Sequence, residues 1–399
     1  MALLITASST FLPGDPGYDE LRRNPINPEM DPRPAMIVEA ETADAVRSAV
    51  VAASELGLPL AVQSTGHGTH VPADGGLLLR TSSMTGVHVD PVRRTAVVRA
   101  GTQWGEVVKA AARHGLAPLS GSGTTVGVIG YTLGGGLGWL ARRYGLAADS
   151  VVRAEVVTAD GRILDIGHDD HPELFWALRG GGAGFAVVTE LEFELYPVTT
   201  VLAGTVTFTV TDLAAQLAEY RDWAADACPE LSTAAVVTPE RTLVIKALGE
   251  ARVTGRLLAP LWRRLGASLT DDLRPMPYSR TAMGGTPART MEAYTSLGDA
   301  LVERLAATAD TTVEIRHWGG AIAEPGPDAG PAAHRDTAFT VVADRLLEGL
   351  PQGGAFLNFA ADRERAARSF TPANLQSLRE VKRAYDPGDL FRLNLTPTW

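Results

Sequence analysis

The sequence predicts an α+β protein of two lobes. At 399 residues the chain exceeds the roughly 250–300 that one hydrophobic core organises, so two lobes are expected. The first half interleaves strand hairpins with helices, without the regular strand–helix alternation of a doubly wound sheet. Near residue 198 the texture changes to longer strands and amphipathic helices. These observations divide the chain into residues 1–197 and a remainder from 198.

Along the first part, 36–40 (MIVEA) reads as a strand. Thr42 or Asp44 starts a helix that places Val46, Val50 and Ala53 on one face, and Gly57 and Pro59 stop it. Residues 60–63, 77–80 and a hairpin over 87–100, turning at Asp90-Pro91, follow as strands. Helix 104–114 is closed by Gly115, and a Gly/Ser/Thr-rich loop occupies 120–138. Asp160-Gly161 marks a second hairpin after residue 152, then come helix 172–179, Gly180-Gly181-Gly182 and the strand 185–195. The second part gives strands near 201–210, 233–238, 242–248, 311–316 and 338–343, with helices at 211–226, 253–266 and 291–306. A Pro/Gly/Arg-rich loop is expected over 274–290. The tail reads as strand AFLNFAA (355–361), helix 373–384 and the segment YDPGDLFRLN.

Composition removes several classes of function. Net charge is −10, and no run of Lys/Arg suits a phosphate backbone, which disfavours nucleic acid as a partner. Only three lysines (Lys109, Lys246, Lys382) stand among 36 basic residues, a skew that suggests GC-rich coding more than recognition. A lone cysteine, Cys228, makes neither an internal disulfide nor a cysteine-rich zinc site. The N-terminus lacks a basic n-region, and no apolar span reaches the 18 or so residues of a transmembrane helix, so a soluble cytoplasmic protein is expected.

Two glycine-rich stretches carry the chemistry. Gln63-Ser-Thr-Gly-His67-Gly-Thr-His70 follows a strand directly, and Ser120-Gly-Ser-Gly-Thr-Thr-Val-Gly-Val-Ile-Gly-Tyr-Thr-Leu-Gly-Gly-Gly-Leu-Gly138 is longer. Glycines allow backbone N–H groups to converge on an anion, and hydroxyl side chains add neutral donors, which suits a pyrophosphate. Neither stretch has Walker A or GxGxxG spacing, so a nucleotide cofactor here sits on neither a P-loop nor a Rossmann scaffold. His67 and His70 lack accompanying carboxylates or cysteines, and no metal is expected.

Four motifs in order, Ser64-Thr-Gly-His67, the 121–138 loop, His171-Pro-Glu-Leu-Phe-Trp-Ala-Leu-Arg-Gly-Gly-Gly182 and Tyr385-Asp-Pro-x-x-Leu-Phe-Arg392, resemble the berberine-bridge-enzyme-like FAD-linked oxidases. These have the vanillyl-alcohol-oxidase/p-cresol-methylhydroxylase fold. The resemblance divides the chain beyond residue 197 into 198–352 and a C-terminal segment 353–399. The resemblance implies FAD, bonded through its 8α-methyl carbon to His67. It implies contacts along the cofactor from Ser64, Thr65, Gly66, Gly68, Gly121, Ser122, Thr125, Gly127, Gly130, Tyr131, Gly135, Val187 and Asn394. Val126 matches the position that gates oxygen, where a small residue accompanies oxidases.

Two departures matter. Relatives with a second flavin bond use a cysteine where this chain has Gly123, so His67 is the single available tether. Relatives also carry titratable aromatics on a C-terminal strand where this chain reads Phe356-Leu-Asn358-Phe359. A phenyl ring cannot act as a base. His317, Tyr131 or Glu314 are the candidate substitutes, and strand alternation over 313–317 puts Glu314 and Arg316 on one face and Ile315 and His317 on the other. His334-Arg335 resembles a family stretch with a structural role. The implied activity is oxidation of a small, largely apolar, natural-product-like substrate with O2 as acceptor. A flavin-scaffolded redox-neutral cyclase or isomerase, or a dehydrogenase with another acceptor, stand as alternatives.

Overall fold

The computed structural model describes residues 8–281, 283, 290–308 and 310–397. Three sheets organise them. The first runs Ser8–Phe11, Met36–Ala40, Leu77–Arg80, Leu60–Gln63, with the last three strands parallel. The helix Ala43–Glu55 starts where Thr42 Oγ1 accepts from the Ala45 N–H, and it buries Val46, Ala49, Val50 and Ala53 against that sheet. The second sheet is antiparallel and runs Val87–Asp90, Thr95–Arg99, Val187–Glu194, Val151–Val157, Ile163–Ile166. Its first hairpin turns where Asp90 Oδ1 accepts from the N–H groups of Val92 and Arg93.

The third and largest sheet is antiparallel and runs Ser268–Asp271, Thr200–Phe208, Leu243–Glu250, Leu231–Val237, Val313–His317, Phe339–Ala343, Thr290–Tyr294. Its two faces have different fates. Phe208, Ile245, Val237, Ile315 and Val341 point into a core closed by the helices Leu213–Ala224, Thr254–Leu265 and Asp299–Ala307. The opposite face packs on the first lobe: Val201, Ala203 and Leu248 meet Leu119, Leu140 and Ala147, while Met291 and Val342 meet Ala141 and Leu146. The candidate site lies on this inner face.

Three sequence expectations need correction. Residues 291–294 are a strand, with helix only from Asp299; pairing of Met291 with Val342 overrides the local helix preference of Met-Glu-Ala. The expected strand at 355–361 is instead a 3₁₀ turn, Leu357–Phe359, held by side-chain bonds described below. Within the expected 274–290 loop, Arg274–Pro277 pairs with Thr200–Ala203; positions 282 and 284–289 of that loop lie outside the described residues. The helix Val128–Leu133 inside the second glycine stretch, the short helix Ala141–Tyr144 and the strand Ser8–Phe11 were not expected.

The C-terminal segment returns to the first lobe. Lys382 Nζ donates to Gly184 O (2.9 Å) and pairs with Asp386 (2.6 Å), whose oxygens also accept from the N–H groups of Leu390 and Phe391. Leu60 N–H in turn donates to Leu390 O. The Tyr385-Asp-Pro motif is thus an anchor: the Tyr385 hydroxyl reaches Glu173 Oε1 at 2.5 Å. His334 Nε2 bonds Arg368 O, and Arg335 grips Asp149 with two 2.7 Å bonds across the lobes.

Candidate active site

The two glycine stretches, some sixty residues apart in sequence, lie side by side. His67 Nε2 is 3.0 Å from Thr125 Oγ1, and Thr65 Oγ1 accepts from Gly127 N–H at 3.3 Å. Gly66 sits at φ +85°, where an added Cβ would stand 2.5 Å from Asn24 Oδ1; the Asn24 amide donates to the Gly66 carbonyl. Ser64 Oγ is buried without a partner among the described residues, while Gly68, Thr125 and Gly130 are exposed, the two glycines with open space where a Cβ would go. Partial burial lowers the His67 pKa, favouring the neutral imidazole, which is the nucleophilic form.

The rest of the second stretch is packed so closely that side chains are excluded. At Gly123 an added Cβ would come within 3.0 Å of Val126 Cγ2, so a cysteine at this position would force Val126 to shift. Val126 is half-buried, and its carbonyl accepts from Trp104 N–H. Gly121 meets the Tyr131 ring at 3.0 Å from its notional Cβ, and Gly135, at φ +107°, meets Phe356 at 2.7 Å. Asn358 fixes this underside from the C-terminal segment: Oδ1 accepts from Gly136 N–H (2.8 Å), and Nδ2 donates to Tyr131 O (2.9 Å). Those two bonds explain why Phe356-Leu-Asn-Phe359 turns instead of extending.

Above the loop, a narrow cavity of about 50 Å³ opens between Ser122, Gly138 and Trp139 on one side and the inner face of the large sheet on the other. Trp139 Nε1 donates to Ser122 Oγ at 3.0 Å. From the sheet, Glu314, Arg316 and His317 reach its lining, with Trp318 and Ile322 supplying apolar wall. Glu314 accepts from Lys246 Nζ (3.0 Å) and from Arg316 Nε (2.8 Å), and the Arg316 guanidinium lies 5.5 Å from the Phe359 ring centroid. Alternation along Val313–His317 holds: Ile315 faces the helix-covered core and His317 stacks on Phe339 at 5.5 Å, while Glu314 and Arg316 face the loop.

Of the three candidate bases, Glu314 lines the cavity with both oxygens already accepting from Lys246 and Arg316, and the other two are not placed to act as one. Arg142 donates to His317 Nε2 at 2.8 Å; since arginine only donates, that nitrogen must be the acceptor, so a neutral ring carries its proton on Nδ1. Burial, reinforced by the Arg142 charge, pushes the His317 pKa down to about 3. The Tyr131 hydroxyl is buried beneath Gly121 and Gly138 without a partner among the described residues, and burial raises its pKa well above 10.0, the usual phenol value. The Tyr131 ring stands edge-on to Trp104 at 5.4 Å. Val187 is buried in the core of the first sheet, so only its backbone is available to a ligand. Asn394 closes the C-terminal turn, accepting from Thr396 N–H and donating to Phe391 O.

Sequence reasoning missed Arg142. It is 3% exposed and also donates to the carbonyls of Leu231, Ala227, Cys228 and Trp318, tying the short helix Ala141–Tyr144 to the large sheet. It missed the Lys246–Glu314 pair as well. The scarcity of lysine was the available signal, because two of the three, Lys246 and Lys382, are buried in ion pairs. Among the described residues, no cluster of three or more His, Cys, Asp or Glu converges as a metal would need, and no helix is long and apolar enough to cross a membrane.

Comparison with known proteins gives this geometry a family. An FAD-binding-domain model matches residues 34–167, and a berberine and berberine-like model matches 355–396, the segment that carries Asn358. The chain is 30% identical to (R)-6-hydroxynicotine oxidase of Paenarthrobacter nicotinovorans, covering 96% of this chain and 94% of that one. The chain belongs to the berberine-bridge-like family of FAD-linked oxidases. The solved structure of 6-hydroxy-D-nicotine oxidase from Arthrobacter nicotinovorans superposes with a TM-score of 0.86 at 27% identity over 99% of both chains. Glucooligosaccharide oxidase from Acremonium strictum, whose FAD is 6-S-cysteinyl and 8α-N1-histidyl, shares the fold (TM-score 0.85, 23% identity, 98% and 97% covered). Within this family the unpartnered Ser64 hydroxyl, the adjoining Thr65 and Thr125 hydroxyls and the side-chain-free surface at Gly68 and Gly130 fit FAD as the bound group.

Proposed function

We propose that the protein oxidises a small, largely apolar substrate in the cavity between the second glycine stretch and the large sheet, with FAD bonded to His67 alone. Residues 1–197 and 353–399 form the FAD-binding unit in this reading, and 198–352 the substrate lobe. The carrying observation is the His67–Thr125 contact, which sets one neutral imidazole at the junction of the two stretches while Gly123 offers no second nucleophile. When bound, FAD accepts a hydride from the substrate and passes the electrons to O2, giving hydrogen peroxide.

This chain's residues supply position and enclosure. Ser64, Thr65, Gly66, Gly68, Gly121, Ser122, Thr125, Gly127 and Gly130 hold the cofactor, Val126 leaves room for oxygen, and Gly135 and Tyr131 support it from beneath. Trp318, Ile322, Leu137 and Trp139 exclude water from the substrate. With His317 and Tyr131 unsuited as bases and Glu314 holding Lys246 and Arg316, the one proton that accompanies the hydride leaves from the substrate's own ionisable group to solvent.

Acid-precipitated protein stays yellow and carries the mass of one FAD, and His67→Ala releases it. Flavin that washes out of the wild type on acid treatment sinks the tether. Turnover at full rate without oxygen, and without peroxide in air, assigns the protein to redox-neutral cyclisation or isomerisation instead.

A further inference from the structure

We propose that the cavity selects substrates bearing a carboxylate, which Arg316 binds through its two terminal nitrogens. The inference rests on the reading of this cavity as the substrate site.

The charges on the inner face do not balance. Arg142 and Arg316 are cations in the cavity lining, Lys246 is a third cation paired with Glu314 outside it, and among the described residues Glu314 is the single carboxylate in that lining. Glu314 already accepts from two of them, one on each oxygen. Arg142 is buried and bonded to carbonyls and to His317, whose ring is neutral. A net positive charge held away from water is costly unless an anion joins it.

Arg316 is the cation positioned to receive that anion. Its Nε is committed to Glu314 and its guanidinium carbon lies over the Phe359 ring, which together hold the guanidinium in place. Nη1 and Nη2 have no hydrogen-bond partner among the described residues, and the side chain is 21% exposed in a cavity lining. It is close enough to the buried Tyr131 to act on it electrostatically, which sets it on the loop-facing side. A planar fork with two vacant donors matches a carboxylate bidentately, and a neutral amide of the same shape matches it poorly. The surrounding Leu137, Trp139, Trp318 and Ile322 suit an apolar, aromatic body on that acid.

Benzoate and benzamide test this on the FAD-loaded protein, read by perturbation of the visible flavin bands. Benzoate is expected to bind about tenfold or more tighter than benzamide. Arg316→Gln removes the preference while flavin content is unchanged, and Arg316→Lys retains part of it. Glu314→Gln acts in the opposite direction and tightens benzoate, since a competing carboxylate is gone. Equal binding of the two probes, no perturbation by benzoate, a preference that survives Arg316→Gln, or weaker benzoate binding in Glu314→Gln each overturns the proposal. Loss of flavin from the wild type is a separate readout, and it strikes the cofactor reading instead.

Discussion

Replacing His317 by glutamine is expected to make the protein less sensitive to acid. In the folded chain the imidazole is neutral, with Nε2 accepting from Arg142, and its pKa is about 3. An unfolded histidine titrates near pH 6.5. The folded value is the lower one, so the unfolded chain binds the extra proton. The stability contributed by the neutral ring is complete above about pH 6.5 and is lost as the pH falls towards 3. Between about pH 7 and pH 5 the unfolded ring goes from about a quarter protonated to almost fully protonated while the folded ring gains almost nothing, which integrates to a loss of about 2 kcal/mol. A glutamine carbonyl can still accept from Arg142 but does not titrate. Urea unfolding of the FAD-loaded protein at the two pH values, followed by tryptophan fluorescence near Trp318, gives the measurement. The wild type is expected to lose about 2 kcal/mol more than His317→Gln over that interval. Equal losses, or a His317 resonance titrating near 6.5, refute the reasoning and return the residue to the list of bases.

Substitutions at two further positions probe the floor of the site. Gly135→Ala adds a Cβ 2.7 Å from Phe356 at φ +107°, and overpacking with backbone strain together cost about 2–5 kcal/mol, seen as a lower thermal midpoint and lost flavin. Asn358→Ala unpairs Gly136 N–H and Tyr131 O, destabilising by about 2 kcal/mol or more and weakening FAD retention. Asn358→Asp falls between, because the carboxylate accepts from Gly136 but cannot donate to Tyr131 O. Unchanged flavin content in both variants removes the proposed support of the cofactor by this segment.

Much of this site was readable along the chain, for reasons that are local. Ser64-Thr-Gly-His67 and the 120–138 run stand out because a side-chain-free backbone is legible as composition, and Gly123 in place of cysteine is a fact of sequence alone. Alternation put Glu314 and Arg316 on one face without any knowledge of neighbours. The need for glycine at 135 was not readable in the same way. It arises from Phe356, more than two hundred residues downstream, folding back against it. The same holds for Phe356-Leu-Asn-Phe359, whose strand-like pattern is overruled by the two bonds of Asn358. Nothing in Ala141-Arg-Arg-Tyr144 separates the buried Arg142 from the exposed Arg143 beside it.

By itself, then, the sequence determined the α+β class, the four ordered motifs, glycine in place of cysteine at 123 and the absence of a titratable aromatic at 356 and 359. Tertiary structure alone decided that His317 accepts from the buried Arg142 and that Tyr131 is sealed beneath the loop. It also decided that Lys246 and Arg316 share the Glu314 carboxylate on the inner face of the sheet. Residue type sets what a side chain can do. Its charge state and direction depend on burial and on partners that arrive from remote parts of the chain, and for His317 that partner is Arg142, 175 residues away in sequence.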